Sequence, residues 1–536
     1  MKQSEFCMAN AASHNLLRSN PGESARGGLF GNHGAFLILL AVYIVFNLLT
    51  LTSYPIVADD EGFLANWGYL LARNGIPIID PNMSYHGFFK DIAVLPLSGI
   101  FFYGSLALLG DLLGFGLFAM RLQPLIFAVC TLVFTYMTAL VLFEDSKKAL
   151  LTAFLVASSA QFLVMAHTVR QESMFTANII GVFLLLAVGV KRHSRLPMLA
   201  AAFLIGAAIC IHPNGVILPL VFCVFLMTIR KQWGKGFSSL FFQMTFFVLL
   251  GGLLFLFFDY LPGKDHYWQY FHSPQMDGLT NKYQKFFSSF FQLGQDLART
   301  VWKHYWGTAY HRFMFYLILH FGAVLSALYF ATPSHKMCLT IIALLILVLW
   351  PMHFNIKYMG YTVPFFSLLL GSVLLEWKKV LDRKHSALAS TALCTLFAAS
   401  LALPLLTVYV HRGYDHLALP KKIVAAIQPG QKFIAASAFF FGLPHETHFS
   451  QYIIMRSGLK QVMSDSRIPY FVLDPISFIW LGSDGANDKY VSENMAFLSE
   501  SCDALMTSKS YVPGWRSPGL TGFNVTVFDC RRGVFQ

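Results

Sequence analysis

Long apolar runs alternate with short polar segments along most of the chain, and each run of about 17–25 apolar residues is a candidate membrane span. Eleven spans are predicted, near residues 34–54, 119–143, 149–167, 174–190, 197–211, 215–229, 238–258, 313–330, 338–350, 359–376 and 387–410. The first 33 residues are polar, rich in Gly, Ser and Asn, and predict a flexible tail. No small-residue cleavage site follows the run 35–51, so it predicts a retained helix rather than a signal peptide. The apolar stretch 92–113 carries Pro96, Gly99, Gly104 and Gly110. It predicts a helix lying along the membrane face or re-entering it, since a further span would invert every later loop. Beyond about residue 411 the pattern changes. Lys432–Ala435, Tyr470–Leu473 and Asn524–Phe528 are short strand candidates separated by Pro, Gly and Asp.

The predicted fold is a polytopic α-helical membrane protein with about 11 transmembrane helices and a small C-terminal α/β extracytoplasmic domain. Residues 1–33 form the cytoplasmic tail and 34–410 the membrane domain, with long outer loops at 55–118 and 259–312. Residues 411–536 are long enough for one soluble domain.

Composition narrows the class. Only 12% of the 536 residues are charged while 56% are hydrophobic, 53 of them Phe, and the mean hydropathy is +0.56. No soluble core could bury that much apolar surface with so little charge to cover it. A soluble enzyme, a disordered chain and a disulfide-rich secreted scaffold are excluded. The net charge of +12 sits in clusters between spans: Lys147-Lys148, Lys191-Arg192 with Arg195, Arg230-Lys231 with Lys235, and Lys378-Lys379 with Arg383-Lys384. With a cytoplasmic N-terminus, alternation puts all of these and Lys336 on the cytoplasmic side, as the positive-inside rule requires. Nucleic acid is not the partner, because its footprint would be contiguous. An odd span count leaves the C-terminus outside, where Cys502 and Cys530 are the only cysteines; an oxidising compartment predicts a disulfide between them.

In this orientation the remaining ionisable residues collect on the outer side. Asp59-Asp60-Glu61 opens the first outer loop, and Lys90 follows in it. Arg121 starts the second span, Arg170 and Glu172 follow the third, His212 opens a Pro-Asn-Gly turn, and Lys357-Tyr358 follows the ninth span. Each has a plainer reading: a helix cap, an interfacial Arg–Glu pair, an incidental turn histidine, a snorkelling lysine. A cap needs one acidic group, however, not three. Together, a carboxylate cluster ringed by cations at the membrane boundary suits a lipid-linked phosphate. Cations neutralise the departing phosphate while a carboxylate takes a proton from an incoming hydroxyl. A transporter or lipid-linked sugar flippase would need ionisable groups near the midplane and commonly shows internal repeats, which are absent from this sequence. A noncatalytic assembly scaffold leaves the constellation unexplained.

The segment from Asp59 to Gly75 resembles the first-loop motif of GT-C membrane glycosyltransferases, in particular the bacterial aminoarabinose transferase and protein O-mannosyltransferase group. Arg121-Leu122, Arg170-Gln-Glu172, and Lys357-Tyr358 with Pro364 are similar elements, so the resemblance covers roughly 34–380. It implies an inverting glycosyltransferase of the inner (plasma) membrane; the C-terminal domain, periplasmic by the span count, lies outside the resemblance. The enzyme would take a sugar from a polyprenyl-phosphate donor to a cell-envelope lipid or glycan acceptor, with membrane lipids as further partners. By motif Asp60 matches the acidic position and Glu61 its neighbour, with Asp59 an alternative base. Lys90 resembles a lysine that contacts donor phosphate, although Asp91-Ile92-Ala93 stand between it and Pro96. Lys90, Arg121, Arg170, His212 and Lys357 are the expected phosphate-binding set, and Glu172 and Tyr358 the residues shaping the acceptor site. Asp59, Asp60, Glu61 and Glu172 could hold Mg²⁺, Mn²⁺ or Ca²⁺; the cations could equally neutralise phosphate without a metal.

Overall fold

Helices follow the apolar runs. The computed structural model describes residues 33–55, 57, 59–75, 99–262, 264, 311–330, 332–349, 358–410, 415–445, 447–450, 458–474, 488–509 and 524–535. In chain order the apolar part contains α1 (Gly34–Thr50), α2 (Asp59–Asn74), α3 (Ile100–Leu113), α4 (Leu117–Phe143), α5 (Ser146–Ala157), α6 (Ala160–Ala166), α7 (Gln171–Arg192), α8 (Arg195–Ala207), α9 (Leu218–Trp233), α10 (Phe237–Phe255), α11 (His311–Phe330), α12 (Pro333–Leu349) and α13 (Val363–Val410). Leu117–Phe143, Gln171–Arg192, Phe237–Tyr260 and Gly360–Val380 are each long and apolar enough to cross a membrane, and α5 with α6 makes a fifth candidate. The other six predicted spans are helical over most of their described residues.

One continuous core of apolar side chains joins α1 and α4–α13. Large apolar side chains also face outward, such as Leu49 at 79% and Phe242 at 72% exposure. An apolar rim around an apolar core is the signature of helices solvated by lipid. Small residues let backbones approach: a Cβ on Gly206 of α8 would lie 2.0 Å from the Val248 carbonyl oxygen of α10.

Two predicted spans differ in form. The run 149–167 is two helices bent by 66°. The serine pair at the junction explains it: Ser158 ends α5, and the Ser159 hydroxyl accepts the Phe162 N–H at 3.3 Å, capping α6. Conversely, the loop predicted between 376 and 387 is helical, and α13 runs for 48 residues. No Gly or Pro occurs from Ser372 to Leu403, so nothing in the sequence stops the helix.

The long helices separate two chemistries. At about 1.5 Å per residue, α4 and α7 are about 40 and 33 Å long. Arg121 and Glu172 lie near their first turns; Glu144, Lys191 and Arg192 lie at their other ends. There the Lys191 ammonium bonds the Val141 carbonyl (2.7 Å) and pairs with Glu144, and Lys148 meets Glu376 at 2.5 Å.

The C-terminal region comprises α14 (Ala418–Ala426), β1 (Phe433–Ala435), β2 (His448–Ser450), α15 (Leu459–Asp465), β3 (Tyr470–Leu473), α16 (Asp488–Ser501), β4 (Asp503–Lys509), β5 (Asn524–Asp529) and α17 (Arg531–Phe535). Its sheet has the order β2-β1-β3-β5-β4, parallel from β2 to β3, with β5 antiparallel to both β3 and β4. Alternate side chains enter two cores. Phe433, Tyr470, Val472, Val525 and Val527 join α14 on one face; Ile434 and Phe471 join α15 and α16 on the other. Cys502 and Cys530 form a disulfide between the end of α16 and the end of β5.

Candidate active site

Successive residues on a helix point about 100° apart, so the acidic triplet at the start of α2 cannot act as one group. Glu61 faces inward and is fully buried. Its two oxygens accept from Arg121, Nε to Oε2 at 3.0 Å and Nη2 to Oε1 at 2.9 Å, and Oε2 also accepts the Val169 N–H at 3.1 Å. Arg121, equally buried, gives its other bonds to the carbonyls of Leu51 (2.9 Å), Tyr54 (3.2 Å) and Pro55 (2.9 Å). A guanidinium has five N–H donors, and these five bonds use them all. The pair therefore locks the end of α1, the first turn of α2, the start of α4 and the turn before α7 together.

Asp60 faces the other way, with 38% of its side chain exposed, and pairs with Arg170 Nη1. Nε and Nη2 of the same arginine bond Glu172 Oε1 at 2.9 and 2.7 Å. Arg170 is the N-cap residue of α7 and Glu172 lies in the first turn, where the helix dipole favours a carboxylate. Exposure falls across the trio, from Asp60 through Arg170 (16%) to Glu172 (3%). The result is one accessible carboxylate held from behind by a cation and a buried anion.

Around this trio lie His212, Tyr103, Gln171 and Asp259. His212 Nδ1 accepts the Asn214 N–H at 3.0 Å, leaving the proton on Nε2, and its ring lies 5.5 Å from Phe175 and 6.3 Å from Tyr361. Burial pushes the His212 imidazole down to about 4; Glu172 raises it and Arg170 lowers it. The Gln171 amide and the Tyr103 hydroxyl are 3.5 Å apart. The chain approaches them through Gly99, at φ +134°, where a Cβ would lie 2.3 Å from Gln171 Nε2. Burial and the charge of Asp259 raise the Tyr103 hydroxyl. Asp259 itself is 6% exposed in the π-helical turn Leu256–Tyr260 that ends α10.

Known structures share this architecture. ArnT from Cupriavidus metallidurans, solved bound to undecaprenyl phosphate, matches at a TM-score of 0.54 and 12% identity, over 92% of this chain and 98% of its own. Its apo form matches at 0.55 and 13%, over 92% and 97%. The chain has the fold of the GT-C glycosyltransferases. The Archaeoglobus fulgidus oligosaccharyltransferase, solved in complex with Zn and sulfate, also matches, at 0.56 and 12%, over 86% and 71%. The family model for dolichyl-phosphate-mannose-protein mannosyltransferase matches residues 100–256, the stretch containing Arg121, Arg170, Glu172 and His212. No curated protein sequence matches the chain.

Within this GT-C fold, Asp60, Arg170, Glu172 and His212 come together, while two expected residues, Glu61 and Arg121, take other parts. Glu61 and Arg121 satisfy each other in the interior, so neither faces a substrate: Glu61 is not positioned as a base, and Arg121 keeps no donor for phosphate. His212 lacks the positive charge expected of a phosphate binder at neutral pH and offers a neutral N–H instead. The Asp59 backbone begins α2 and Tyr358 begins the 3₁₀ turn Tyr358–Thr362, but their side chains lie outside the described residues, as do Lys90 and Lys357. Sequence reasoning missed Tyr103, Gln171 and Asp259. Only Asp259 left a signal, as the single charge closing an otherwise apolar run. Among the described residues no three His, Cys, Asp or Glu side chains converge on a metal position. The Arg170 guanidinium pairs with both Asp60 and Glu172 and stands between them.

Proposed function

We propose that this chain is an inverting glycosyltransferase of the inner membrane. It would move a sugar from a polyprenyl-phosphate donor to a cell-envelope lipid or glycan at the outer face, where the C-terminal region also lies. The observation that carries the reading is the Asp60–Arg170–Glu172 trio, one accessible carboxylate oriented by a guanidinium at the end of a span in a GT-C fold. The mannosyltransferase family match and the undecaprenyl phosphate in the ArnT structure support the donor class.

In this reading an acceptor hydroxyl attacks the anomeric carbon from the side opposite the phosphate. The C–O bond to phosphate breaks as the new glycosidic bond forms, the hydroxyl proton passes to Asp60, and polyprenyl phosphate leaves. Phosphate is a good leaving group, so the step needs a base more than a second acid; the paired-acid logic of glycoside hydrolases is not required. Arg170 fixes the Asp60 carboxylate, Glu172 holds Arg170, and the neutral N–H of His212 is a donor to developing negative charge. Lys90 and Lys357 supply the positive charge for the phosphate.

Replacing Asp60 by Asn keeps size and removes the base. Turnover of synthetic undecaprenyl-phosphate sugars, assayed in nanodiscs with envelope glycolipid extract, should fall on the order of 10²–10⁴-fold. Binding of undecaprenyl phosphate should persist. Near-normal turnover would move the role to Asp59, and full transfer with both aspartates neutralised would remove the site altogether.

A further inference from the structure

The helix carrying Asp60 is clamped by the C-terminal region. The chain leaves β1 through the 3₁₀ segment Ser437–Gly442, which rests on α2. Phe440 is only 3% exposed and belongs to the apolar cluster of Ala65 and Trp67 on α2 with Phe102, Tyr103 and Leu106 on α3. His445 stacks on Phe440 at 4.2 Å between ring centroids and lies 4.9 Å from the Tyr69 ring of α2. Two close approaches fix the layers on either side. A Cβ on Gly442 would come within 2.6 Å of Pro420 in α14, and one on Gly68 within 2.7 Å of Leu106 Cβ in α3. Thus α2 is pressed between α3 and a segment that is itself backed by α14.

We propose that Phe440 is a positioning residue for the transfer reaction, setting the place of α2 and hence of the Asp60 carboxylate; this rests on Asp60 being the base. The first turn of α2 is held by Arg121 and Arg170. Farther along, α3 supports α2 on one side only, at Gly68 and Leu106. Tyr69 lies nine residues along from Asp60, about 13 Å on a helix, and Phe440 with His445 supplies the second fixed point there. A displacement on the order of 1 Å at a reacting group can cost about 10²-fold in rate. The C-terminal region thereby contributes to the reaction without contributing a reacting atom.

The test uses the full-length protein in nanodiscs, with Phe440→Ala, Phe440→Leu, His445→Ala and Asp60→Asn compared side by side. Turnover is measured with the synthetic undecaprenyl-phosphate sugar that the wild type consumes, and is divided by the number of sites that bind undecaprenyl phosphate, so lost folded protein does not count. Phe440→Ala should lower kcat per site about 10–100-fold with undecaprenyl phosphate affinity changed less than about threefold, and Phe440→Leu should recover most of the loss. His445→Ala should lie between. Hydrogen exchange should quicken in α2 and stay unchanged in α4 and α7. Wild-type kcat per site in folded Phe440→Ala, unchanged α2 exchange, or no recovery by Phe440→Leu would each overturn the proposal. If Phe440→Ala does not fold, wild-type kcat per site in His445→Ala overturns it. Collapse of Asp60→Asn alone would leave the site reading intact and reject the clamp; normal turnover of Asp60→Asn would reject Asp60 as the base on which the clamp rests.

Discussion

Asp60 and Glu61 are neighbours with opposite fates, and the difference can be measured as stability. Glu61 is buried with Arg121 and accepts three bonds from Arg121 and the Val169 amide. Removing one partner of such a pair leaves the other charged and dry, at a cost of about 3–5 kcal/mol. Glu61→Gln should therefore lower thermal stability strongly in detergent. Asp60→Asn, at a position 38% exposed, should change it by less than about 1 kcal/mol. Equal melting of the two variants would refute this division. The acidic triplet stood out in the sequence as a candidate site, because three carboxylates exceed what a cap needs. Its division of labour was not, since that depends on which arginine, Arg121 or Arg170, each helix face meets after folding.

At the scale of elements, apolar runs became helices and short apolar strings became strands. Phe433–Ala435, Tyr470–Leu473 and Asn524–Asp529 fall where the strand pattern pointed. The three-residue strand His448–Ser450 escaped notice, being too short for an alternation to register. It carries a pH-sensitive group. Burial pushes the His448 imidazole down to about 4, although its Nε2–H bonds the Ala435 carbonyl at 3.2 Å; the nearby His445 lowers it further. The unfolded chain, with a histidine near 6.5, takes up this proton first as pH falls. The stability contribution is thus complete above about pH 6.5 and is lost progressively down to about pH 4, up to about 3 kcal/mol. Hydrogen exchange of β1–β3 amides, corrected for intrinsic rates, should show protection falling from pH 7 to pH 5. In His448→Gln, which keeps an N–H donor, it should stay flat. A parallel fall in both proteins would exclude His448 as the cause.

Across the whole molecule, charge segregation was readable in advance and long-range docking was not. Positive clusters around Lys148 and Lys191 lie at the ends of α5 and α7 far from the acidic site, as their spacing between apolar runs implied. By contrast, Phe439-Phe440-Phe441 has no periodicity, so the sequence could not tell that Phe440 leaves its own domain core to seat on α2. The disulfide offers a way to separate the two roles of that region. Cys530 lies in the core beside α15 and α16, and Phe440 lies in the cluster over α2. The bond spans 28 residues of chain, and closing a loop of that size in the unfolded state is worth about 3–4 kcal/mol. A domain of about 100 residues shifts its melting temperature by about 4–8 °C per kcal/mol. Cys502→Ser with Cys530→Ser should therefore lower unfolding of the C-terminal region by at least about 12 °C, followed by hydrogen exchange in β4 and β5. Well below that temperature the sheet still holds Ser437–Gly442 on α2, so turnover per undecaprenyl phosphate site should match the wild type; it should then drop in step with melting of the sheet. Lost turnover in a fully folded double variant would place the disulfide in the support of α2. Unchanged melting would mean that the bond adds nothing to the stability of the sheet.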